Sequence, residues 1–464
     1  MSRATWFGAD QVLSALDAAL ATSSADQVEI SATSRVGEHT RFAAQRVHQA
    51  QSIIECQIMI RAVVGTASAR VAVNCLNQVT HAVERAVALA RTRDAVPRAG
   101  SSVDVPYDVA TGPITGARAD LWVAATGDWD VAERSRLAGL IMDQATTAGG
   151  LVNGTLTTAL TELAVVTSRG VRAYAHATEA GFTMTVRFGE ASSYIGDLSR
   201  DASTLHVHER ALDAIESTSR VREVIAVPDG VHDVVFGPLA AGELIGFVPD
   251  FGFTAPALRA GTGLVAQRRG EVVAPNFLTI ADDARAMVGL PFPFDFEGSE
   301  KRAVVLIDHG RVGEVVSDLA SAPASGGGST GHASIGREQS PEPACANLVM
   351  NPGTQSEDEL IAGVEHGLYI ERLWYNRLVD AESGTVVGTS RDACFLIEDG
   401  RRTHALAGGR YNESVIDALA RTDALGATRY SQPIPNLWNS CITAPAIRVR
   451  GFRFGSRTRN EEDA

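Results

Sequence analysis

Lysine is almost missing from this chain: Lys301 is the only one among 41 basic residues. Schiff-base chemistry and a phosphate-loop lysine are thereby confined to one position, and no glycine-rich phosphate loop precedes it. Lys301 stands at the head of an apolar run and reads as an exposed strand-end charge. Cysteine is also sparse. Cys56, Cys75, Cys345, Cys394 and Cys441 are scattered and odd in number, with no CxxC pair, which argues against a disulfide framework or a cysteine-only zinc site. Long apolar runs are missing: none nears the roughly 20 residues that span a bilayer. The first residues hold no apolar signal core, so the expected compartment is the cytoplasm. Positive charge is in deficit. A net charge of −14 repels phosphate backbones, and no arginine stripe interleaved with aromatics offsets it. Nucleic acid and membrane are therefore not expected partners; a peptide or small molecule is.

What is present is an ordinary globular composition, 45% hydrophobic and 21% charged, over 464 residues, too many for one core. The pattern predicts an α+β protein: an N-terminal domain of antiparallel strands and packed helices over residues 1–222, then a β-rich domain over residues 232–464. Pro228-Asp229-Gly230 marks the turn between them. In the first half, a helix is expected from Asp10, as cap, to Ala21. QVEISATSR, HTRFA, SIIECQIMIRAVV and TASARVAV follow as strands joined by tight turns, with Gly65 in the last turn. Asn77 is placed as the cap of a second helix, whose Val79, Ala82, Val83, Ala86, Val87 and Ala90 repeat at three and four. A linker with Pro97, Gly100 and Pro106 leads to a helix over residues 131–147. Four strand-like runs come next, with Gly170 and Gly181 read as turns, then a helix over residues 205–217. In the second half, Asp308-His309-Gly310 turns between two strands, and Ser356 with Glu359 forms a capping box. GLYIERLWYNRLVD, TVVGTS, CFLIEDG and AIRVRGFRF read as further strands.

Few residue groups have the spacing that chemistry needs. HExxH is absent, and His206 and His208 are two apart, on different faces of a helix. His81 and His176 read as surface residues. No GxSxG elbow occurs. Ser329 and His332 lie close together in GGGSTGHAS, which suggests a nucleophile and a base, but the glycine-rich run reads more simply as a loop over a cleft, with Ser329, Thr330 and His332 as cleft-lining candidates. Asp295 and Glu297, in FPFDFEG, would share a face on a strand and suit acid–base work; hydrogen-bond acceptance in a loop is the plainer reading. Cys394 and Cys441 sit among apolar residues and read as core.

Taken in order, IRAVVGTASARVAV, VVTSRGVRAYAHATEAGFTMTV, FPFDFEGSEKRAVVLIDHGRV, DLASAPASGGGSTGHAS, NLVMNPGTQSEDELIAGVEHGLYIERL and VVGTSRDACFLIEDG resemble the TldD/PmbA (TldE) family along nearly the whole chain. The resemblance implies a two-chain peptidase. TldD-type chains hold zinc through an HExxxH helix and a C-terminal cysteine; TldE-type chains lack those ligands. Set against the family's zinc helix, VVFGPLAAGELIGFVPDFG places Gly246, Phe247 and Phe251 where the two histidines and the glutamate would stand, with Glu243 out of step. Cys441 falls near the family's ligand cysteine without its glycine-rich surroundings, so that role is not carried over. The expectation is a chain with no catalytic or metal residue and no cofactor of its own. It would complete a chamber and position a peptide or small amide for a TldD-like, zinc-binding paralogue. Two rivals stand beside it: a self-standing hydrolase with a non-metal nucleophile, and a non-catalytic binding or assembly protein. A natural-product pathway is an alternative setting.

Overall fold

Alternating β-branched residues bounded by turn formers build the first layer. In a computed structural model, which describes residues 7–95, 107–115, 121–221, 223–335, 341–435 and 437–455, they form β1 (Gln27–Ala43), β2 (Arg46–Val64), β3 (Ala67–Val73), β4 (Leu151–Thr167), β5 (Arg172–Phe188) and β6 (Ala191–Ser199). All pair antiparallel in the order β3-β2-β1-β4-β5-β6. One face carries helices: α1 (Ala9–Ala21), α2 (Val79–Asp94), the short α3 (Ala124–Asp128), α4 (Val131–Thr147) and α5 (Val207–Ser219). The six apolar residues that define the stripe of α2 are all buried. Asp130 caps α4, its side chain accepting from Glu133 N.

Several expectations need correction. Gly8, not Asp10, precedes α1, and neither α1 nor α2 has a side-chain cap. QVEISATSR and HTRFA are one continuous strand. Gly37 between them is not a turn: a Cβ there would meet Arg35 Nη1 at 2.9 Å, so the residue leaves room for that guanidinium. Gly181 likewise sits inside β5, where a Cβ would meet Leu198 Cδ1 at 3.0 Å and Thr157 Oγ1 at 3.2 Å. Three strands, not four, follow α4. His206 lies outside the helix, at its N-cap with left-handed backbone, and His176 is half-buried against Trp122 and Tyr174. The linker containing Pro97, Gly100 and Pro106 falls outside the described residues.

From residue 224 the chain is β-rich. Its strands are β7 (Val224–Ile225), β8 (Gly230–Phe236), β9 (Ile280–Asp282), β10 (Val304–Asp308), β11 (Arg311–Val312), β12 (Ala333–Ile335), β13 (Pro341–Pro343), β14 (Asn347–Met350), β15 (His366–Ile370), β16 (Leu373–Asp380), β17 (Thr385–Ser390), β18 (Cys394–Glu398), β19 (Arg401–Leu406), β20 (Arg410–Ser414), β21 (Thr422–Pro433) and β22 (Cys441–Phe454). Among the described residues, eleven of them form one mixed sheet in the order β11-β10-β9-β14-β22-β8-β15-β18-β19-β7, with β21 on β22. GLYIERLWYNRLVD is thus split: β15 joins this sheet, while β16 lies in another, of order β16-β17-β20. His309 and Gly310 both have positive φ, the geometry of a tight two-residue hairpin. Ser356 and Glu359 close the expected capping box on a short helix.

The N-terminal sheet's second face is where the two halves meet. Leu163 and Val165 of β4 and Ala173, Ala175 and Ala177 of β5 pack against Phe292, Phe294 and Phe296. FPFDFEG is therefore an apolar wedge between the halves and not a strand. Among the described residues no helix is long and apolar enough to cross a membrane.

Candidate functional site

The wedge covers only part of that sheet face. Beyond it, Thr33 and Arg35 of β1, Glu55 and Gln57 of β2 and Glu179 of β5 form the floor of a cleft of about 1310 Å³. These are the odd-numbered positions of their strands, so one face presents them all. Arg35 reaches over β4 to Glu179, Nη2 to Oε1 at 3.1 Å. Leu290 and residues 437–440 form a wall, and Trp438 there stacks edge-on against Phe292 and Phe296 at 5.3 and 5.2 Å. The sequence reading missed this floor. Its signal was faint: charged residues at alternate positions of otherwise apolar strands, meaningful only once the register is known.

The residues flagged in the sequence lie elsewhere. Thr330 and His332 are 0% and 1% exposed, so they are interior and do not line the cleft floor. Ser329 is half-buried and held by local backbone, its Oγ accepting from Gly331 N. It forms no pair with His332, whose ring is engaged on both sides. Thr330 Oγ1 gives its proton to Ser317 O, so both Thr330 oxygens act as acceptors toward His332 Nδ1, each at 2.9 Å. Nε2 lies 3.0 Å from Asp282 Oδ1, with both side chains fully buried. Burial pushes the Asp282 carboxyl up, yet His332, Lys301 and the Asn347 N–H outweigh it and hold it well below the usual carboxylate range. The arrangement is a buried imidazole–carboxylate contact joining β9 to the glycine-rich segment. Lys301 is half-buried and not an exposed strand end. It lines, with Asp295 and His332, a cavity of about 20 Å³, room for one water.

Asp295 and Glu297 are structural acceptors. Asp295 accepts from the N–H groups of Glu297, Ser299 and Ala333. Burial still pushes its carboxyl up to about 7. Glu297 accepts from Tyr107 OH at 2.7 Å and Leu319 N at 2.8 Å, and burial, with Glu29 next, raises its carboxyl too.

The segment set against the zinc helix forms α6 (Pro238–Ile245) and a 3-10 turn, Val248–Phe251. Phe251 is fully buried, and Phe247 packs on the same core. A Cβ on Gly246 would lie 2.7 Å from Ile442 Cδ1. Cys441 precedes Ile442 on β22, so its side chain leaves the opposite face of the sheet. There the thiol is fully buried, donating to Asn347 Oδ1 at 3.0 Å and accepting from Leu290 N at 3.1 Å. Burial pushes it up to about 12, so it stays protonated. This donor set does not fit zinc: two phenyl rings and a glycine offer no lone pair, and the one soft ligand faces away. Among the described residues no three His, Cys, Asp or Glu side chains converge as a metal site. Glu243, the one acid of α6, accepts from Asn376 Nδ2 at 2.9 Å, and burial raises its carboxyl.

Comparison with known proteins agrees with this architecture. Residues 229–456 match the family model of the PmbA/TldA metallopeptidase C-terminal domain. A metalloprotease of Methanothermobacter thermautotrophicus is 24% identical over 212 residues, 46% of this chain and 46% of that protein. A metalloprotease TldD homologue of Haemophilus influenzae is 28% identical over 216 residues, 46% of this chain and 44% of that protein. The match thus spans less than half the length of either relative. In fold, the likeness runs further. TldE from Thermococcus kodakarensis superimposes with a TM-score of 0.77 at 19% identity, covering 96% of this chain and 99% of that one. A putative modulator of a DNA gyrase from Thermotoga maritima superimposes with a TM-score of 0.80 at 17% identity, covering 96% and 100%. Residues 229–456 thus belong to the PmbA/TldA metallopeptidase C-terminal domain family, and nearly the whole chain has the fold of TldE.

Proposed function

We propose that this chain is a metal-free, TldE-like subunit of a zinc-dependent peptidase or amide hydrolase. It contributes the cleft between its two halves and acts with a TldD-like, zinc-binding paralogue. The observation that carries the reading is the α6–β22 contact: Gly246 is packed against Ile442, Phe251 is in the core with Phe247 packed on it, and the Cys441 thiol is sealed on the far side of β22. Water activation needs a Lewis acid or a base poised near neutral pH, and these side chains supply neither.

The chain's own contribution is to bind and orient. A floor of strands with paired charges and a wall carrying Trp438 suits an extended peptide or amide, held by polar side chains and one aromatic surface. Zinc, where the partner supplies it, polarises the scissile carbonyl and lowers the pKa of its bound water. The chain works in the cytoplasm in this reading.

The test is a mixing assay with an unfolded peptide. The purified chain alone should be inert, and hydrolysis should appear when an HExxxH-bearing family member is added and vanish with a chelator. Chelator-resistant hydrolysis by the chain alone would sink the reading.

A further inference from the structure

The ladder between β2 and β3 runs from Val64 opposite Ala67 to Ile58 opposite Val73. The paired ladder ends there; its register carried two residues further would set Cys56 opposite Cys75, whose backbone is extended at φ −139° and ψ 135°. Alternation puts both side chains on the face of Ile58 and Val73. Cys56, Val73 and Leu76 indeed pack on one core cluster. Directly opposed residues of an antiparallel pair stand about 4.5–5.5 Å apart at Cα, inside the span a disulfide bridges. The thiols are also close enough to feel each other: after burial, Cys75 is the next influence raising Cys56, to about 11. Cys75 is exposed, Cys56 is half-buried, and Cys345, Cys394 and Cys441 are buried.

We propose that Cys56 and Cys75 form a site of reversible oxidation, in which a hydroperoxide joins them as an intrachain disulfide. Exposed Cys75 reacts first. Its thiolate attacks a peroxide oxygen, the S–O bond forms as the O–O bond breaks, and the departing hydroxide or alkoxide takes up a proton. Cys56 then attacks the Cys75 sulfur. The S–S bond forms, the S–O bond breaks, and the leaving hydroxide accepts the Cys56 proton as water. Two thiols lose two electrons, and one peroxide gains them.

The location gives the bridge a consequence. Cys56, Gln57 and Asn74 line the large cleft, and Asn74 Oδ1 accepts from the Cys75 thiol at 3.4 Å. A disulfide would tie the middle of β2 to the segment that enters α2, fixing that rim of the cleft. Scattered, odd-numbered cysteines gave no hint of this pairing, because the register that opposes them is visible only in the sheet.

The experiment treats the full chain with hydrogen peroxide and maps peptides without reduction. The expected product is one cross-link between the peptides carrying Cys56 and Cys75, two hydrogens lighter than the unlinked pair and reversed by dithiothreitol. Cys56→Ser and Cys75→Ser should each abolish it, and hydrogen exchange across residues 74–78 should slow on oxidation in the parent chain only. Both thiols remaining open to alkylation after peroxide, or cross-links forming only between chains, would overturn the proposal.

Discussion

Gly246 and Ile442 approach until nothing larger than hydrogen fits between them: a Cβ on Gly246 would stand 2.7 Å from Ile442 Cδ1. That contact locks α6 to β22 where a zinc ligand would have to enter. Gly246→Ala should cost about 1–3 kcal/mol by overpacking. Ile442→Val removes the clashing Cδ1 atom and alone should cost about 0.5–1.5 kcal/mol. The double variant should lose less than the sum of the two. Urea unfolding of the three variants measures this, and strict additivity would mean that the contact is not felt.

Restoring ligands by Gly246→His, Phe247→Glu and Phe251→His should lower stability and still bind no stoichiometric zinc, because Cys441 faces the other side of β22 and stays protonated. Metal analysis after gel filtration reads the outcome. A tightly held ion would show that β22 can turn over.

The His332–Asp282 pair should be expensive to break. Asp282→Ala takes the carboxylate away from the fully buried His332 ring and leaves its Nε2 without that partner, and the loss should be about 3–5 kcal/mol. Removing both partners should cost less than the two single losses combined. The Asp282 carboxyl is held low in the fold, so its contribution is present above the ordinary carboxylate range and disappears only as pH falls through the depressed value. Denaturant melts carried from about pH 6 down through the ordinary carboxylate range into strong acid, on parent and variant, separate this from plain packing loss.

Glu371 has the opposite sign. Burial, then the neighbouring Glu357, pushes its carboxyl up to about 8, and it shares a hydrogen bond with Tyr369. The fold holds that proton where the unfolded chain has released it. The stabilisation is therefore full below the ordinary carboxylate range and drains as pH rises through about 8. Between pH 6 and 8 each such group removes about 1.4 kcal/mol per pH unit. Asp295, raised to about 7, adds to the lower part of this window. Melting temperature should fall from pH 6 to 9, and less steeply in Glu371→Gln, which has no proton to lose. Parallel curves for parent and variant would refute the assignment.

In the cleft, Gly37→Ala should displace Arg35, because the new Cβ would lie 2.9 Å from Nη1. If Arg35 and Glu179 hold substrate, peptide capture by the two-chain complex should weaken about tenfold, worth about 1.4 kcal/mol, while the melting temperature barely moves. Fluorescence anisotropy with a labelled unfolded peptide tests it; unchanged capture would remove Arg35 from the binding surface.

Local periodicity carried much of the fold. Helix α4 was readable to its ends, and every residue in the stripe of α2 was assigned to the core correctly, because helix packing repeats at short range. One glycine misled: Gly181 read as a turn but clears space beside Leu198 within a long strand, and the turn expected between QVEISATSR and HTRFA is continuous strand. That Gly246, Phe247 and Phe251 stand at the zinc-helix positions came from the family resemblance. That Cys441 points away from them was not legible, since strand parity across a sheet has no trace in one segment. The same limit hid the Arg35–Glu179 floor and sent Thr330 and His332 to a cleft when they are interior. His332 is matched with Asp282, and nothing in either neighbourhood announces the other.

The wedge of Phe292, Phe294 and Phe296 has a bearing on how this polypeptide can be handled. Cut between its halves, the N-terminal fragment would display the bare flank of a six-stranded sheet, Leu163 and Val165 included, and the other fragment three naked phenyl rings. Such surfaces stick to one another and to themselves. Neither fragment should behave as a well-dispersed monomer, and crystallographers or engineers who trim this molecule should keep both flanks in one piece.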